Sequence, residues 1–206
     1  DLLAALRGGD NSLGIPVAAA TQERETVMAA VQMVCEHAKG GALLAIARAS
    51  AFKHIFPGTD YHGDSAQPAL RACDKSYMTE RLRGLHISDP RFSAAFSEFT
   101  EHSDDDRWPS DHADPAARGQ PKDGAFLIST GGYRLKAAVK LLGLPPARQW
   151  DSVGTKHETA MACAWAVKGA HVLVRSDSGS VHYIVRDGDI LHVSKISPSG
   201  PATASL

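Results

Sequence analysis

The sequence predicts an α+β fold, with a helical N-terminal half packed on a C-terminal antiparallel β-sheet. Three observations carry this. Val27, Val31 and Val34 recur at spacings of four and three, which marks one apolar face of a helix. After Gly169 the period changes to two, in HVLVR (171–175), VHYIVR (181–186) and DILHVS (189–194). Asp177-Ser178-Gly179 and Asp187-Gly188 separate those runs and read as the turns of a three-stranded meander.

Taken in order, residues 1–20 mix Gly, Asn, Pro and Ala and read as a loose start. Thr21 is an N-cap candidate for the first helix, which Gly40-Gly41 ends. A second helical run is expected from Ala42 to Phe52, broken by Pro57-Gly58. Residues 66–84 read as helical with Leu70, Met78 and Leu82 as anchors, and residues 91–100 as a further short helix. Residues 101–123 are acidic, contain Pro and have almost no aliphatic side chains, so a mobile acidic loop is expected there. Ala125–Ser129 is a buried strand, Tyr133–Leu142 a helix ended by Gly143, and Glu158–Val167 a helix stopped by Gly169. The chain is read as a single domain over residues 1–206.

Composition narrows the function classes. With 43% hydrophobic and 22% charged residues, a packed core is affordable. A net charge of −1 gives no reason to expect nucleic acid as a partner. No apolar run approaches the roughly 18 residues of a membrane span. The three cysteines, Cys35, Cys73 and Cys163, are too few for a disulfide scaffold and fit a reducing environment. The sequence opens on Asp1, so any export signal is expected upstream.

His182 is the residue that asks for a reason, because it interrupts a strand that otherwise reads as core. A histidine on a sheet is most often a hydrogen-bonded structural residue. A general base would need the same rigid platform, with its ring facing a nucleophile at a helix start. The run from His171 to Gly200 resembles the C-terminal part of papain-like cysteine proteases, nearest the YopT/AvrPphB-type bacterial effectors. The resemblance implies a papain-like fold and His182 as the base. It also implies acyl-enzyme chemistry on a host protein (proteolysis, deamidation or transglutamination), after secretion by a bacterium into the host cytoplasm. It implies a monomer and no cofactor. The position that would carry the orienting acid is Ser197, which can bond the imidazole but cannot offset its charge.

Four positions compete for the nucleophile of such an enzyme. Cys35 lies within the first helix, and Cys73 has Arg71 and Lys75 nearby. Ala42 follows two glycines and opens an apolar run, the shape of a nucleophile helix whose cysteine has been replaced. Cys163 falls late in a helix, the wrong end for a thiolate.

Rival signals are weaker. His102, Asp104, Asp105, Asp106, Asp111, His112 and Asp114 are of metal-ligating type, but no glycine between Glu101 and Arg118 would converge them, and a solvated loop accounts for them. Lys156-His157-Glu158 starts like a zinc-protease helix and lacks its second histidine. Phe126–Thr130 with Glu158 faintly resembles ADP-ribosyltransferases. Neither a dinucleotide nor a P-loop motif occurs. The alternative to an enzyme is an inactive α+β module that binds a partner protein through the acidic loop.

Overall fold

The segment ALLAIA (Ala42–Ala47) forms β1, and every one of its residues is buried. It is the centre of a six-stranded sheet of order β3-β2-β1-β4-β5-β6. The computed structural model describes residues 17–52, 77–101, 107–139, 141, 144–145 and 154–196. The other strands are β2 (Ala125–Ser129), β3 (Arg134–Val139), β4 (His171–Arg175), β5 (Val181–Asp187) and β6 (Ile190–Ile196). Among the described residues four helices accompany them: α1 (Val17–His37), α2 (Tyr77–Arg81), α3 (Pro90–Thr100) and α4 (Thr155–Ala166), with a short 3-10 turn at Ala49–Phe52. The chain is therefore α+β, with a mixed sheet: β1 and β2 run parallel, with Leu44 opposite Phe126 and Ile46 opposite Ile128, and all other neighbours are antiparallel.

Two helical layers cover the sheet. On one face Val27, Val31 and Val34 of α1 and Phe92 and Phe96 of α3 pack with Leu44, Ile46, Phe126, Leu173 and Tyr183. On the other, Ala160, Cys163 and Ala164 of α4 pack with Leu43, Ala45, Leu127, Val172, Val174 and Ile184. The alternation of β1 residues between these clusters is that of a strand with both faces covered, which no longer alternates in polarity.

Four sequence expectations change. The helix expected over 42–52 is β1 followed by the 3-10 turn. A short apolar run does not distinguish a buried strand from a buried helix, and here pairing on both sides decides. The helix expected over Tyr133–Leu142 is β3, an irregular edge strand with a register shift against β2 and Ala138 at φ 55°. α4 begins at Thr155, not Glu158, and α1 begins before Thr21, which is inside it. Of the helix expected over 66–84, α2 is the described part; Leu70 lies outside the described residues.

The α3 helix runs where residues 91–100 predict one. Asp89 caps it, its Oδ1 accepting from the backbone N–H of Arg91 at 2.9 Å, with Pro90 opening the first turn. The Arg91 guanidinium and amide hold the Asp89 carboxyl down at about 2.

The three-stranded meander over residues 171–196 forms as predicted, with His171 opposite Val185 and Val185 opposite His192. Within the acidic segment, residues 107–123 fold as turns around Trp108, which is 2% exposed. Its ring meets Tyr77 edge-on at 5.2 Å and His112 at 5.0 Å, and Lys122 Nζ lies 4.7 Å from its centroid. Ala117 is buried in the same core cluster. His102 and Asp104 to Asp106 lie outside the described residues.

Gly124, which leads this segment into β2, has φ +118°, and a Cβ there would sit 2.7 Å from the Ala138 carbonyl carbon and the Val139 nitrogen. Both obstacles are backbone and cannot rotate away. Gly124→Ala is expected to cost about 1–3 kcal/mol, read as a lower denaturation midpoint.

Candidate functional site

Among the described residues, His182 does not meet Ala42 or Cys35. Alternation along β5 puts Val181, Tyr183 and Val185 against the α1 layer and Ile184 against the α4 layer. His182 shares the α4 side, where its Nδ1 lies 3.3 Å from Nε2 of His157. Ala42 and Cys35 belong to the opposite face, with the α1 layer. Ala42 is the first residue of a central strand, 4% exposed, not the start of a helix. Burial pushes the Cys35 thiol up, as does the neighbouring Glu36. Cys163 is on the side of His182 but fully enclosed in the core, and burial pushes its thiol up to about 12. Cys73 and Ser197 lie outside the described residues.

His182 nevertheless faces a helix start. His157 occupies the first turn of α4, is 5% exposed, and stands edge-on to His182 with centroids 5.3 Å apart. Burial is the main cause that holds both imidazoles below their usual range, and Lys195 and His157 add to it at His182. Two neutral rings suit this contact, since one nitrogen donates and the other accepts.

The sign of the resulting pH dependence follows from those depressed values. Below about pH 6.5 the unfolded chain takes up protons that the folded pair refuses. Stability contributed by the pair is therefore complete above that pH and is lost as pH falls from it toward the folded-state values. Thermal melts across pH 7.5 to 5 are expected to show this decline. A variant carrying both His157→Leu and His182→Leu should lack it.

The same helix start borders a cleft of about 320 Å³. Its walls come from four separate segments: Leu43 of β1, Asp123 to Ala125 leading into β2, Val139 and Leu141 at the end of β3, and Thr155, Lys156 and Thr159 of α4. It adjoins a polar recess of about 50 Å³ that shares Asp123, Gly124 and Lys156 and adds Gly41, Glu101, Lys122 and Asp177. The N-cap of α4 is Gly154, which has no side chain with which to cap the first turn itself. The arrangement can hold an apolar body on the strand residues and an anionic group at Lys156 and the helix start.

Most of these residues carry no signal in the sequence. Lys156 and His157 were visible only as a zinc motif that fails, and the others carry no spacing signal because the fold, not the chain, brings them together. Among the described residues no group of three or more acidic, His or Cys side chains could hold a metal ion, and no helix is long and apolar enough to cross a membrane. No protein-family model matches the chain, and no curated protein matches it.

Proposed function

We propose that the protein binds a small phosphorylated ligand in the cleft at the start of α4. The carrying observation is that one 320 Å³ cleft joins apolar strand residues, Leu43, Ala125 and Val139, to Lys156 on the first turn of a helix whose N-cap is Gly154. The volume is at the lower end of small-molecule sites, about 300–1,000 Å³. A helix start offers aligned N–H groups and a partial positive charge to an anion, and Lys156 adds a full one. Leu43, Ala125, Val139 and Leu141 would carry the uncharged body of the ligand.

Titration calorimetry with ATP, ribose 5-phosphate, inorganic phosphate and adenosine tests this reading. ATP or ribose 5-phosphate is expected to bind, and adenosine, which lacks the phosphate, to bind far more weakly. Adenosine binding as well as ATP, or no phosphorylated compound binding at millimolar concentration, would refute it.

A thiol enzyme of papain-like fold, delivered by a bacterium to act on a host protein, has one supporting feature: the His182 ring against the first turn of α4. Its nucleophile would be Cys73. Under that reading Cys73→Ser abolishes turnover of a protein substrate. The cleft supports the binding reading more directly.

A further inference from the structure

The polar end of the cleft already contains an internal carboxylate. Asp177, in the turn between β4 and β5, accepts from the Gly41 backbone N–H at 2.9 Å, and the same oxygen lies 3.7 Å from Lys156 Nζ. Gly41 is the meeting point: a Cβ there would fall 2.4 Å from Asp177 Oδ1 and 3.0 Å from Lys156 Nζ. The β1 lead-in is also tied to the end of β4 by Arg175, whose Nη1 donates to the Gly40 carbonyl at 2.6 Å. One backbone donor and one ammonium, converging on one oxygen, are the contacts an anionic ligand group would also seek.

We propose that Asp177 is a specificity-determining residue of this cleft, an internal competitor that an incoming phosphate must displace from Lys156 and Gly41. This rests on the phosphate-binding reading above. The Asp177 side chain is 54% exposed, so it can swing into water when displaced. The consequence is a charge threshold. A doubly charged phosphate monoester outcompetes the resident carboxylate for Lys156, whereas a singly charged carboxylate of equal size only matches it. The turn between β4 and β5 would then report ligand binding by releasing its hold on the start of β1.

The test is Asp177→Asn, which keeps an oxygen for the Gly41 amide and removes only the charge. Calorimetry with ATP, inorganic phosphate and acetate on the wild type, Asp177→Asn, Lys156→Ala and the double variant reads the effect. The expected result is ATP and phosphate bound roughly three- to tenfold more tightly by Asp177→Asn, with acetate gaining at least as much. The gain should vanish when Lys156→Ala is added. Unchanged or weaker phosphate binding by Asp177→Asn, with Lys156-dependent binding in the wild type, would overturn the role of Asp177 and leave the cleft reading standing. No Lys156-dependent phosphate binding in either protein would overturn both. A melting temperature of Asp177→Asn close to the wild type separates the charge effect from loss of fold. Asp177→Ser, which keeps a hydroxyl oxygen in the turn without the charge, should reproduce the gain.

Discussion

Trp108→Ala is expected to lower folding stability by about 3–5 kcal/mol, the range for truncating a buried large aromatic side chain. Trp108 is 2% exposed and stands among Tyr77, His112, Arg81 and Lys122, so its removal leaves a cavity that several elements share. The backbone around it is also tied: Trp108 donates to the Gln120 carbonyl at 2.9 Å and accepts from Gly119 N–H at 3.0 Å. Collapse into the cavity is limited because both strands of that loop are held. A melting temperature lower by on the order of 10 °C should accompany the loss. Trp108→Phe should recover much of it by keeping the edge-on contact with Tyr77. A loss below about 1 kcal/mol for Trp108→Ala would mean that this loop is not anchored by its tryptophan.

The second large effect is expected at Lys156. Lys156→Glu should weaken binding of a phosphorylated ligand by more than Lys156→Ala. The alanine change removes one charge-assisted contact, worth about 1.5–3 kcal/mol or roughly ten- to a hundredfold in Kd. The glutamate adds repulsion beside Asp177 and Asp123, which already line the recess. Stability should change little, because the Lys156 side chain is 42% exposed and its pair with Asp177 is a surface one. Calorimetry paired with a thermal melt checks both halves. Wild-type affinity in Lys156→Glu would remove the phosphate from this end of the cleft.

Parts of this architecture were legible in the sequence for identifiable reasons. The meander of β4, β5 and β6 was readable because Ser176–Ser180 and Asp187-Gly188 supply turn chemistry and the strands alternate. The α1 face was readable because Val27, Val31 and Val34 follow the helical period, and all three are buried. β1 was not readable as a strand, because burial on both faces erases alternation and Ala and Leu favour helices. β3 was hidden in the same way by RLKAAV, whose edge position and bulge obscure its period. The anchoring of the acidic segment rests on a few residues, Trp108 and Ala117 in the core and His112 against Glu98, amid charges that dominate its composition.

The candidate site was less legible than the fold. His182 stands out in the sequence as a candidate base; the ring beside it is that of His157, twenty-five positions earlier, on a helix that starts at Thr155 and not at Glu158. Ala42 is a nucleophile candidate only if 42–52 is a helix, and Cys35 lies in α1 on the other side of the sheet from His182. Once Ala42–Ala47 is a strand, the sheet itself stands between both side chains and His182. The cleft depends on Gly41, Leu43, Gly124, Val139 and Lys156 meeting; the parallel pairing of β1 with β2, the pairing of Ala125 with Val139 and the packing of α4 on the sheet bring those segments together.

The most direct test of the phosphate-binding cleft is a backbone amide NMR titration of the full chain with ATP or ribose 5-phosphate. The largest shifts are expected at Gly41, Gly124, Thr155 and Lys156, with a second group at Asp177 and its turn. Shifts centred elsewhere, or none at these amides at millimolar ligand, would contradict it.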